Sequence, residues 1–149
     1  MVKLIAWFYS WGAVLNRATG WPFSRFNRWL YRVSGGRLGA AMPGGRVALL
    51  TTSGRRTGRP HTVPVAVWSD GPDFVVGVMS MQAHWLRNLR ATPDAQLQLK
   101  RDTFSVVAEI IPSAELDAVR RSLATSHPAF DVYARRAASD APMIRLVTR

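Results

Sequence analysis

Over the first stretch of the chain, apolar side chains recur every three or four positions. Leu4, Trp7, Phe8, Trp11, Val14, Leu15 and Ala18 would share one helix face, which Gly20, Trp21 and Pro22 end. A second helical pattern sets Phe26, Trp29, Leu30 and Val33 against Arg25, Arg28 and Arg32, and Ser34-Gly35-Gly36 stops it. Beyond this the period shortens. Val47–Thr52, Thr62–Ser69, Phe74–Met79, Ala95–Lys100 and Phe104–Ile111 are short apolar or β-branched runs between turn residues, and they read as strands. Asp70-Gly71-Pro72-Asp73 is a tight connection that predicts an antiparallel hairpin, and Arg101-Asp102 predicts a second charged turn. Gln82–Ala91 reads as a helix closed by Thr92-Pro93-Asp94. Another starts at Pro112-Ser113-Ala114-Glu115, with Ser113 as N-cap, and ends at His127-Pro128. Ala129–Ala138 is expected to form a further helix, and Met143–Val147 a last strand that completes a six-stranded, barrel-like sheet.

The pattern therefore predicts an α+β chain in two parts, an aromatic, basic helical extension over residues 1–46 and a single sheet domain over residues 47–149. A length of 149 residues suits one core and not two. The apolar run Leu4–Leu15 is far shorter than the roughly 20 residues a membrane-crossing helix needs. It also lacks a signal-peptide cleavage pattern, so a cytoplasmic location is expected.

Charge sharpens the division. The formal net charge is +11, and the first acidic residue is Asp70; ten Arg and Lys residues precede it, whereas ten cations face nine acids from there onward. An anionic partner is expected for the basic half, and charge alone does not choose among nucleic acid, anionic lipid and a polyanionic ligand. With no cysteine in the chain, thiolate metal sites, iron–sulfur ligation and cysteine nucleophiles are excluded, and redox chemistry requires a bound cofactor. His61 and His84 have no carboxylate at ligand spacing, so no metal is expected.

The segment richest in chemistry is Thr51-Thr52-Ser53-Gly54-Arg55-Arg56-Thr57-Gly58-Arg59-Pro60. A strand runs into a glycine-bounded turn that carries hydroxyls, amides and three guanidinium groups, the donor set for phosphate or carboxylate. It lacks the lysine and glycine spacing of a Walker loop and is not GxGxxG. A solvated, arginine-rich hairpin turn is an equally good reading of those residues alone.

Val47 to Pro60 resembles the deazaflavin-dependent nitroreductase family of actinobacteria, whose members carry a strand, a Thr-Thr-x-Gly-Arg-x-[Thr/Ser]-Gly turn and a Pro-containing strand. A second block, Trp85-Leu86-Arg87-Asn88-Leu89-Arg90-Ala91-Thr92-Pro93, is similar to the family's Trp-Tyr-x-Asn-Leu-x-Ala-x-Pro segment. The resemblance runs from Val47 to Val147. It implies a split β-barrel, mostly antiparallel, with flanking helices, that binds coenzyme F420, a deazaflavin whose tail is a phosphodiester followed by glutamates. On that basis Arg55, Arg56, Thr57, Gly58, Arg59 and Pro60 would hold the anionic tail. Gly77, Val78, Met79 and Ser80, with His84, Trp85 and Asn88, would border the ring and linker. Where the family commonly shows Ser-[Lys/Asn]-Gly-Gly after the third strand, this chain has Met79-Ser80-Met81-Gln82-Ala83. Tyr133 is the residue implied as proton donor, on a segment His127–Tyr133 whose aromatics would share a helix face; packing is the competing role.

The expected activity is hydride transfer from reduced F420 to a lipophilic acceptor such as a quinone, an unsaturated lipid or a nitroaromatic compound. The alternatives are a non-catalytic F420 carrier, which the changed residues after Met79 motivate, and a split-barrel oxidoreductase using FMN. Nine of the fifteen aromatic residues lie between Trp7 and Tyr31 among arginines. They suit either a peripheral contact with an anionic membrane surface or a cover for the barrel or a homodimer partner. No nucleic-acid recognition motif accompanies them, and no nucleic-acid partner is expected.

Overall fold

The structure, a computed structural model, describes residues 41–42, 45–137 and 141–149. The predicted N-terminal helices lie outside the described residues. Seven strands form one antiparallel sheet: β1 (Ala41–Met42), β2 (Gly45–Ser53), β3 (Pro60–Asp70), β4 (Asp73–Gly77), β5 (Asp94–Leu99), β6 (Asp102–Ile110) and β7 (Met143–Thr148). Their order is β1-β2-β3-β4-β7-β6-β5, and β5 pairs back onto β2, so the six strands β2 to β7 close into a barrel with β1 as a short flange. Three helices complete the described chain: α1 (His84–Ala91), α2 (Ser113–Ser126) and α3 (Phe130–Ala134).

Closure explains why several strands read as unbroken apolar runs instead of alternating ones. Successive side chains point to opposite sheet faces, and here both faces are covered over part of the barrel. Inside, Ala48, Leu50, Val67, Val76, Leu97, Val106 and Ile144 meet Leu86 and Leu89 of α1, so the helix closes one end of the barrel. Outside, Trp68, Val75 and Met143 pack under Leu116 and Leu123 of α2 and Phe130 and Tyr133 of α3. The Trp68 ring meets Phe130 edge-on with centroids 5.0 Å apart, and Tyr133 at 4.8 Å.

Register fixes the ends of the elements. The predicted third strand reaches Met79, but β4 stops at Gly77, because its partner β7 begins opposite it at Met143. The residues freed by this early stop make a turn, in which the amides of Gln82 and Ala83 donate to the Ser80 hydroxyl and carbonyl. Helix α1 consequently begins at His84, two residues later than predicted. Ser113 is the first residue of α2 and not its N-cap. Pro112 takes that position, and its carbonyl accepts from the amides of Glu115 and Leu116. The last helix is shorter than expected, ending at Ala134.

The hairpin at Asp70–Asp73 forms as predicted, with Gly71 at φ +61°. Asp73 also accepts a hydrogen bond of 2.9 Å from the Thr148 amide, so one carboxylate secures both the hairpin and the C-terminal end of β7. Replacing Leu50, which is fully buried inside the barrel, by Ala should lower unfolding stability in urea by about 2–5 kcal/mol. A smaller loss would mean that the lumen collapses around the deletion.

Candidate functional site

Strand β2 leaves the sheet at Ser53, and the chain returns as β3 at Pro60. The intervening loop is closed by two short backbone bonds, Gly54 N–H to Arg59 O at 2.8 Å and Gly58 N–H to Gly54 O at 2.7 Å. Gly58 sits at φ +66°, in the left-handed region that side chains rarely adopt. Ser53 Oγ donates to the Gly58 carbonyl at 3.2 Å, and the Arg59 amide donates to Thr57 Oγ1 at 3.3 Å. The hydroxyls of this motif therefore shape the loop, while Arg55, Arg56 and Arg59 stand exposed on it.

Across from the loop stands α1. Its Asn88 is buried and completely engaged. The side-chain oxygen accepts from the Arg55 amide at 3.2 Å and from the Arg55 guanidinium at 3.4 Å, and the side-chain nitrogen donates to Thr52 Oγ1 at 3.1 Å. Between the two elements lies an open groove of about 610 Å³. Its walls are Gly54, Arg55, Arg56, Thr57 and Arg59 from the loop, His61, Thr62 and Val63 from β3, and His84, Trp85 and Asn88 from α1. Among the described residues no carboxylate lines it, and none pairs with Arg55, Arg56 or Arg59. Trp85 is half-buried and gives the groove an aromatic wall. A second groove of about 530 Å³ lies against Thr51, Ser53, Gln96 and Ser105, but its one cation, Arg149, is bound to Asp94 at 2.9 Å.

The structure thus joins Arg55, Arg56, Thr57, Arg59, His84, Trp85 and Asn88 in one groove. Gly58 and Pro60 fall on the other side of the loop, against the second groove. His61, Thr62 and Val63 are groove residues that the sequence reading did not assign. The adjacency of β3 to the arginine turn was the available signal. Gly77 and Val78 are buried at the end of β4, whereas Met79 and Ser80 are exposed on the following turn; none of the four lines the groove.

Tyr133 is not brought to the groove. It is buried, 5% exposed, in the cluster with Trp68 and Phe130, and its hydroxyl donates to the Val78 carbonyl at 3.4 Å. Burial pushes its pKa above the ordinary tyrosine value, against the opposing pull of the Arg120 guanidinium. The packing is close: a Cβ on Gly77 would stand 2.3 Å from the Tyr133 ring.

A closed antiparallel barrel with a carboxylate-free, arginine-rich groove at the mouth of a strand hairpin defines a split-barrel protein fitted to an anionic ligand. Residues 23–147 match the F420H(2)-dependent quinone reductase family, and the chain belongs to that family. An F420H(2)-dependent quinone reductase of Mycobacterium tuberculosis is 29% identical over 111 residues, 71% of this chain and 74% of the relative. Among solved structures, an F420-H2 dependent reductase, FDR-A, superposes with a TM-score of 0.53 at 17% identity, over 67% of this chain and 92% of its own. HutZ, a heme storage protein of Vibrio cholerae, does so at 0.56 and 19%, over 69% and 81%. These structural likenesses bear on the fold alone. The family match makes the chain an F420H2-dependent oxidoreductase with coenzyme F420 as its cofactor. The groove fits that group: three guanidiniums without an acidic partner among the described residues suit a phosphodiester and carboxylates, and Trp85 offers an apolar face.

Gly77→Ala should destabilise the fold through the clash with Tyr133, whereas Tyr133→Phe should fold normally and keep coenzyme affinity. Because the raised pKa belongs to the folded state, stability is complete below about pH 10 and falls as pH rises through the folded value. Urea midpoints measured between pH 8 and 11.5, on the order of one step per half unit, should show that alkaline loss shrink in the Phe variant. An equal loss in both would assign it to another group.

Proposed function

We propose that the arginine groove holds the anionic tail of coenzyme F420 and that the chain reduces a lipophilic acceptor, foremost a quinone. The carrying observation is the set of Arg55, Arg56 and Arg59 around a groove with no acid in its lining. The mycobacterial relative named a quinone reductase supports the acceptor class. Unsaturated lipids and nitroaromatic compounds are further acceptors of the same polarity.

When bound, reduced F420 supplies a hydride equivalent from its deazaflavin ring. The chain's own part is to bind, orient and exclude water. Arg55, Arg56 and Arg59 supply charge-assisted contacts to phosphate and carboxylate, and Trp85 shields one side from solvent. His61 and His84 add two exposed imidazoles to the groove's lining. Tyr133 in this reading braces the end of β4 through Gly77 and Val78.

The aromatic, basic residues before Val47 support a peripheral contact with an anionic membrane surface on its cytoplasmic face, where lipophilic acceptors partition. The full chain should co-sediment with vesicles containing phosphatidylglycerol and be released by high salt. Equal recovery with neutral vesicles would speak against the contact.

Fluorescence titration with F420, with FMN run in parallel, tests the central reading. Replacing Arg55 and Arg56 together by Ala should weaken F420 binding by about 100-fold or more and flatten its salt dependence. Unchanged affinity would remove the arginines from the site. Oxidation of stoichiometric reduced F420 by a quinone should proceed in the wild-type chain, and its failure would favour a carrier without turnover.

A further inference from the structure

We infer that Asn88 is a positioning residue that acts on the coenzyme through Arg55, presetting the charge of that one arginine in the groove. The inference rests on the F420 reading of the groove and adds a division of labour within it.

Of the three loop arginines, Arg55 has both its amide and its guanidinium tied to a buried acceptor. Arg59 is held by its backbone, whose amide donates to Thr57 Oγ1 and whose carbonyl accepts from the Gly54 amide. An arginine side chain gives up considerable rotamer freedom when it binds an anion. For Arg55 part of that loss is already met in the free protein, because the Asn88 oxygen accepts from its Nη1 at 3.4 Å. Arg55 is exposed and lines the groove, and its guanidinium has further donors beyond the one Asn88 engages.

Every polar atom of Asn88 is committed. Its oxygen serves Arg55 and its nitrogen serves Thr52, so the side chain reaches the ligand through the arginine it holds. The neutrality of the amide matters as much as its placement. A carboxylate there would accept the same two bonds from Arg55, and the Thr52 hydroxyl could donate to its second oxygen. It would hold the loop equally well while cancelling the charge the coenzyme needs. An amide orients a guanidinium without neutralising it.

That contrast supplies the test. Asn88→Asp should melt as the wild-type chain does and keep the Arg55 amide protected from hydrogen exchange. It should nevertheless bind F420 about tenfold or more weakly at low salt, with the gap closing as salt rises. Asn88→Ala should lose the Arg55 amide protection as well as affinity. In an Arg55→Ala background, Asn88→Asp should have no further effect on F420 binding, since the residue through which it acts is gone. Wild-type affinity in the Asp variant, a loss insensitive to salt, or a full additional loss in the Arg55→Ala background would overturn the inference alone. A wild-type chain without F420 affinity would overturn the groove reading and the inference together.

Discussion

A buried amide on a short helix holds the functional end of this barrel together. Asn88 connects α1, which plugs the lumen with Leu86 and Leu89, to Thr52 near the end of β2 and to Arg55 at the start of the arginine loop. A polar side chain buried this deeply is tolerated because each of its atoms is paired, and leaving one unpaired would cost on the order of 1–3 kcal/mol. The same three bonds make the groove a product of the core. If α1 shifted in the barrel mouth, the loop that carries the cations would shift with it.

Two packing layers allow this arrangement. The lumen is apolar up to Thr52, where the barrel meets the Asn88 network, and the outer face of β3, β4 and β7 is covered by α2 and α3. Close approach to a glycine occurs on both sides, where Tyr133 lies on Gly77 and where the His61 ring lies on Gly54 of the arginine loop. The groove is left with three exposed arginines that have no acidic partner among the described residues, a set that an anion would neutralise. An F420H2-dependent oxidoreductase requires such a place for its coenzyme.

Much of this was legible in the residues. The switch from three-to-four spacing to short β-branched runs marks the barrel strands, and the strand-to-turn passage from Thr51 to Pro60 marks the basic loop. The block around Asn88 could be seen to matter, but its task could not. The bonds to Thr52 and Arg55 span more than thirty residues and depend on the closure between β2 and β5. Tyr133 shows the opposite limit. Its spacing from Phe130 correctly puts both on one helix face, yet only the packing of α3 on Trp68 reveals that this face looks into the core. The end of β4 was overrun because Val78 is apolar and buried like a strand residue, while the pairing that would extend the strand stops at Met143.

The central claim is that the anionic part of the coenzyme lies in the groove between the arginine loop and α1. A crystal structure of the chain soaked with F420 tests it most directly. The account predicts phosphate and carboxylate oxygens against Arg55, Arg56 and Arg59, with Asn88 still bonded to Arg55 and Thr52. Density for the tail in the groove beside Thr51, Gln96 and Ser105, with the three arginines still facing solvent, would contradict it.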